Sequence, residues 1–83
     1  MPTLMRIRGF QIRIYPNDHR PPHVHAVGSK GEAVLLLNCP DGPPTIRESV
    51  GLNGPEVRAM LKELLPQISE LCAAWETIRA NFR

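Results

Sequence analysis

Residues 4–15 read LMRIRGFQIRIY, and the alternation of polar and apolar residues there decides the fold. Phe10, Ile12 and Ile14 fall on one parity and Gln11, Arg13 and Tyr15 on the other, the two-residue period of a strand with one covered face and one wet face. A tight turn around Gly9 joins it to a preceding strand over Leu4–Arg8, in which Met5 and Ile7 join the apolar face and Arg6 and Arg8 the polar one. The pattern predicts a hairpin with an oily side and an arginine-rich side.

Working outward, PNDHRPP at 16–22 interrupts the sheet. Pro16 and Pro22 cannot donate to a ladder, and Asn17 and Asp18 favour turns in which the side chain bonds nearby backbone. HVHAV at 23–27 resumes the alternation: Val24 and Ala26 turn inward, which sends His23 and His25 outward. After a turn at GSKG, the run EAVLLLN at 32–38 is apolar enough for a strand covered on both sides or lying centrally. CPDGPP reads as a loop, and TIRESVG at 45–51 as a short strand or an irregular connection.

From Pro55 the period changes. Asn53 is placed to cap a helix, Pro55 suits its first turn, and Glu56 complements the positive end of its dipole. Val57, Met60, Leu61, Leu64, Leu65, Ile68, Leu71, Cys72, Trp75, Ile78 and Phe82 follow at three- and four-residue steps as one apolar stripe. Pro66 interrupts it, removing a backbone bond and crowding the carbonyl of Lys62, so a kink or two helices meeting there is expected. The fold class is therefore α+β: an antiparallel sheet of three to four strands covered on one face by a kinked C-terminal helix or helix pair.

With 83 residues, there is room for one domain, 1–83, which buries only about 60–65% of the surface its unfolded chain exposes. A partner, or a second copy in a homodimer, would add appreciably to its stability. No stretch approaches the roughly 20 consecutive apolar residues of a membrane span. The opening MPTLMRIRGFQ carries arginines where a signal peptide needs an apolar core. A soluble cytoplasmic protein with no membrane partner is the expectation. Cys39 and Cys72 have no second cysteine or histidine at ligand spacing, which excludes a zinc ribbon or a C-x-x-C motif, and free thiols in a reducing cytoplasm are the default.

Charge is unevenly divided. Residues 1–30 hold Arg6, Arg8, Arg13, Arg20 and Lys30 against Asp18 alone, whereas residues 31–83 hold five basic and seven acidic groups. A positive field is thus expected around NDHRPPHVH at 17–25, which contains every histidine of the chain. Three uses of this segment compete. Two imidazoles on one strand face, with His19 or Asp18 from the preceding turn, would make a three-ligand site for a divalent metal. Alternatively Arg6, Arg8, Arg13 and Arg20 would contact phosphates while Tyr15 stacks on a base, and His19, His23, His25 and Asp18 would be the candidates for acid–base chemistry if a strand were cleaved. Finally, His19 would bond the turn backbone and His23 and His25 would be ordinary exposed strand residues. No nucleophile elbow, phosphate-binding glycine loop or paired-carboxylate motif is present.

At NDHRPPHVH the chain resembles a known family, small bacterial proteins grouped as domain of unknown function 4160. The likeness runs over nearly the whole length, through MPT, RIRGF, GEAVLLLN, CPDGP and RESVGL to a helix with Trp75 near its end; NDHRPPHVH is its specific part. The resemblance implies the same fold. Because members often lie beside a second small gene, it also implies a small companion protein in a two-component module resembling toxin–antitoxin pairs. It supplies no reaction. It marks Asp18, His19, Pro21, Pro22, His23 and His25 as the candidate site. NGPE stands where relatives usually have a serine cap, and Pro66 is also unusual. The resulting expectation is a module without a cofactor that binds an anionic partner, nucleic acid first, with a metal-binding protein or metal-dependent enzyme as the alternative.

Overall fold

The first turn of the chain has positive φ at both central residues, 51° at Arg8 and 82° at Gly9, the signature of the tight hairpin turn whose twist matches that of its strands. It joins β1 (Met5–Ile7) to β2 (Phe10–Arg13) in the register Met5↔Ile12, Arg6↔Gln11, Ile7↔Phe10. The fold is given by a computed structural model, which describes residues 4–15 and 19–82, with side chains as far as Ile78. The turn predicted at Pro16, Asn17 and Asp18 lies outside the described residues. Since the turn takes Arg8 out of the strand, it leaves the alternation and is not on the polar face with Arg6.

Three further strands add in sequence, β3 (His23–Val27), β4 (Glu32–Leu36) and β5 (Thr45–Val50), giving an antiparallel sheet in the order β1-β2-β3-β4-β5. TIRESV is thus a full edge strand, and the sheet has five strands where three or four were expected. The β3–β4 turn closes through the Gly28 N–H donating to the Gly31 carbonyl at 2.9 Å. Gly31 is required by close approach: a Cβ there would sit 1.9 Å from the Val50 carbonyl oxygen. In the loop after β4, the Asn38 amide donates to the Pro43 carbonyl at 2.8 Å and to the Thr45 hydroxyl at 3.1 Å, tying the loop across its own neck.

α1 (Gly54–Leu64) begins as the sequence predicts. The Asn53 side chain accepts from the Glu56 N–H at 2.8 Å while the Asn53 N–H donates to the Glu56 carboxylate at 3.1 Å, a reciprocal capping box. Pro66 sits in one 3-10 turn, Leu65–Gln67, between α1 and α2 (Ile68–Phe82). The stripe keeps its phase across that turn, since Met60, Leu64, Ile68, Leu71 and Trp75 are all buried. They pack on Ile12, Ile14, Val24, Ala26, Leu35 and Leu37 from one sheet face, forming a single core. Among the described members of the stripe, Leu65 is the one left exposed.

One expectation is overturned outright. Cys39 and Cys72 are joined in a disulfide rather than free, their Cα atoms 5.9 Å apart. The fold lays the loop after β4 against α2, and a separation of 33 residues gives no local signal of that approach. Among the described residues, no helix is long and apolar enough to cross a membrane.

Candidate functional site

Strand register fixes which residues share the sheet face opposite the helices. Gln11 lies across from Val27 and Arg13 from His25 in the β2–β3 pair, and His25 lies across from Val34 in the β3–β4 pair. With Arg6 beside Gln11, and Glu32 and Glu48 beside Val27 and Val34, the face is basic over β1 and β2 and acidic over β4 and β5. Arg6 is exposed, and Arg13 is half-buried. The Arg13 guanidinium is held flat along its strand by bonds to the Gln11 side-chain oxygen, one from Nε at 3.1 Å and one from Nη2.

The rings form a chain. Tyr15 and His25 have centroids 4.7 Å apart, His25 and His23 5.1 Å, and His23 and Trp75 5.2 Å, each pair tilted rather than parallel, as aromatic quadrupoles prefer. The chain runs from the half-buried Tyr15 to the fully buried indole of α2. His25 is half-buried, as an outward strand residue under a neighbouring ring should be. His23 departs from expectation: only 5% of it is exposed. It is the first residue of β3, at the end of the sheet, where Trp75 reaches it. Its Nδ1 lies 2.8 Å from the Pro21 carbonyl. A carbonyl oxygen can only accept, so Nδ1 carries the proton and, in the neutral ring, Nε2 holds the lone pair.

The other predicted site residues disperse. His19 is exposed, and Asp18 lies outside the described residues. Among the described residues, no three His, Cys, Asp or Glu side chains come together where an ion could be held, so His19, His23 and His25 do not make the anticipated three-ligand set.

The positive field is also reorganised. Arg8 pairs with Glu63 of α1 at 3.0 Å, Arg20 with Glu76 of α2 at 3.1 Å, and Lys30 with Glu56 at 2.9 Å. Three of the five basic groups in the N-terminal segment thus neutralise acids of the C-terminal helices. Arg8 and Arg20 are turned toward the helices, and of the basic residues in the N-terminal segment Arg6 and Arg13 lie on the open face. Lys30 and the Asn53 N–H hold the Glu56 carboxyl below its ordinary range, the lysine hydrogen bond being the larger cause.

The sequence reading missed Trp75 as a neighbour of the histidines. Its stripe position marked it as core, and nothing in the spacing told which strand residue it would meet. Gln11, the clamp on Arg13, carried a signal in its two-residue separation on the same strand face.

The class defined by these features is a small α+β protein with an open five-stranded sheet, one half of whose free face carries two arginines and a ring pair. The family model for domain of unknown function DUF4160 matches residues 9–76, and the chain belongs to that family. No curated protein and no solved structure matches it.

Proposed function

We propose that the protein binds a phosphate-bearing partner, single-stranded nucleic acid, across β1–β3 of the open sheet face. The carrying observation is the juxtaposition, on neighbouring strands, of the Arg13 guanidinium clamped by Gln11 and the Tyr15–His25 ring pair. Arg6 and Arg13 supply cations for backbone phosphates, and a ring at the surface beside them offers a stacking platform for a base, the combination that sequence-tolerant single-strand binders use. Glu32 and Glu48 repel phosphate from the other half of the face and so keep the strand over β1–β3. His23 serves this surface from beneath: its bond to the Pro21 carbonyl fixes the ring against which His25 rests. Binding without turnover is the reading.

Fluorescence anisotropy with labelled oligouridine and oligodeoxythymidine tests it. Two neutralised phosphates give a slope of log K against log salt of about −1.4 on a single strand, and Arg6→Ala/Arg13→Ala removes most of that slope together with the binding. Absence of binding at low ionic strength by the unmodified protein defeats the reading. The family resemblance adds a small companion protein as a second partner; co-expression with the neighbouring gene product should then raise the melting temperature by mass action.

A further inference from the structure

The bond between Cys39 and Cys72 joins two parts of the fold that hold the histidine segment between them. On α2, Cys72 stands three residues before Trp75 and four before Glu76, so the three side chains share one side of the helix. Trp75 meets His23 with ring centroids 5.2 Å apart, and Glu76 pairs with Arg20 at 3.1 Å. From the sheet side, Leu37, two residues before Cys39, donates its N–H to the Pro22 carbonyl at 3.1 Å. Residues 20–23 are thus held between α2 and the chain just past β4, and the disulfide is the covalent link that fixes the spacing of those two supports.

The loop that carries Cys39 keeps its own shape. The Asn38 amide bonds the Pro43 carbonyl and the Thr45 hydroxyl, and the Gly42 N–H donates to the Asn38 carbonyl at 2.8 Å. Those bonds run within the loop and its neck, so they do not moor it to α2. Its approach to α2 at Gly42 is an apolar one, since a Cβ there would lie 3.5 Å from Ile68 Cγ1. The two cysteines differ in access: Cys39 is exposed and Cys72 half-buried. Thiol exchange goes to the sulfur an incoming thiolate can reach, and exposed disulfides are the ones that open readily.

We infer that Cys39–Cys72 is a reversible exchange site for low-molecular-weight thiols, attacked at Cys39, and that its opening loosens the hold on Pro22 and His23. The incoming thiolate bonds to Cys39 Sγ, the Cys39–Cys72 bond breaks, and Cys72 leaves as a thiolate that takes up a proton. A second thiolate attacks the outer sulfur of the mixed disulfide and expels Cys39, which is protonated in turn. Two small thiols are thereby oxidised to one small disulfide while the two cysteines are reduced, and the reverse sequence closes the bond again. With the link open, α2 and the loop can part, and His23 loses its fixed place under the Trp75 ring. The consequence for the open face rests on the binding reading above; the exchange and the loosening do not.

Both parts are tested without any ligand for the open face. Full-length protein is exposed briefly to glutathione, stopped with N-ethylmaleimide and read by peptide mass spectrometry: glutathione is found on Cys39 and the maleimide on Cys72. With glutathione disulfide as the probe, Cys72→Ser protein takes up the adduct at Cys39, and Cys39→Ser protein reacts at Cys72 on the order of tenfold more slowly. The loosening is read by acrylamide quenching of Trp75, the single tryptophan and fully buried, at a temperature where circular dichroism shows both redox forms folded. Quenching rises several-fold on reduction and falls back on reoxidation, and Cys39→Ser/Cys72→Ser protein gives the reduced value with or without thiol. Adducts gathering on Cys72, or a bond that resists glutathione for as long as the protein stays folded, overturn the exchange site. Quenching that is the same in both redox forms overturns the loosening and makes the bond a staple alone.

Discussion

Reduction of the Cys39–Cys72 bond should cost this domain a large share of its stability. The bond closes a loop spanning 33 residues, and loop-closure entropy for that length amounts to about 3.7 kcal/mol at 25 °C. At about 0.05–0.15 kcal/mol per residue, the whole domain has on the order of 4–12 kcal/mol to lose. The bond ties the β4–β5 loop to α2. For a chain of this size, each kcal/mol moves the melting temperature by about 4–8 °C, so the fall should be about 15–30 °C. Thermal melts followed by circular dichroism, with and without a phosphine reductant, measure it directly. Cys39→Ser/Cys72→Ser should melt with the reduced protein and be unaffected by reductant. The reasoning fails if protein purified without reductant titrates two accessible thiols in its folded state, or if reduction leaves the melting temperature within a few degrees of where it began.

Three smaller perturbations probe other links. Asn53→Ala removes one side of the capping box and should cost about 1 kcal/mol, seen as a drop of several degrees in the melt. His23→Ala takes away a buried ring and its bond to Pro21 and should cost about 2 kcal/mol; His25→Ala, at a half-open position, should cost less than about 1 kcal/mol, and equal losses would contradict the assigned burial. The Glu56 carboxyl is held below its ordinary value of 4.5 by Lys30 and the Asn53 N–H. Its contribution is therefore fully present above that value and is lost as pH falls below 4.5 toward the lowered folded value. Glu56→Gln keeps the cap geometry but should flatten that part of the acid unfolding curve, which denaturant melts across the range would reveal.

What could be read from sequence was local. The parity of Phe10, Ile12 and Ile14, the inward turn of Val24 and Ala26, the Asn53 cap and the phase of the helical stripe all follow from residue spacing, and all hold. Arg8 was misplaced because Arg-Gly is not the usual composition of a turn with two positive φ values, so the strand seemed to run one residue further. His23 was misplaced because alternation names a sheet face but does not say where the sheet ends or what helix reaches past it. The charge asymmetry was correctly counted, but spacing could not show that Arg8, Arg20 and Lys30 are answered by Glu63, Glu76 and Glu56, from 26 to 56 residues away. The disulfide was invisible for the same reason. Apart from Arg8, a local turn effect, these misses are contacts between segments whose separation along the chain carries no periodic signal.

The indole at position 75 has a practical consequence. The chain holds a single tryptophan, and that ring lies 5.2 Å from the His23 imidazole. The intrinsic fluorescence of the unlabelled protein therefore becomes an optical gauge of how that imidazole packs against the indole. Occupancy of the neighbouring surface, through its influence on His25 and then His23, should be readable in the same signal without a dye or a tag.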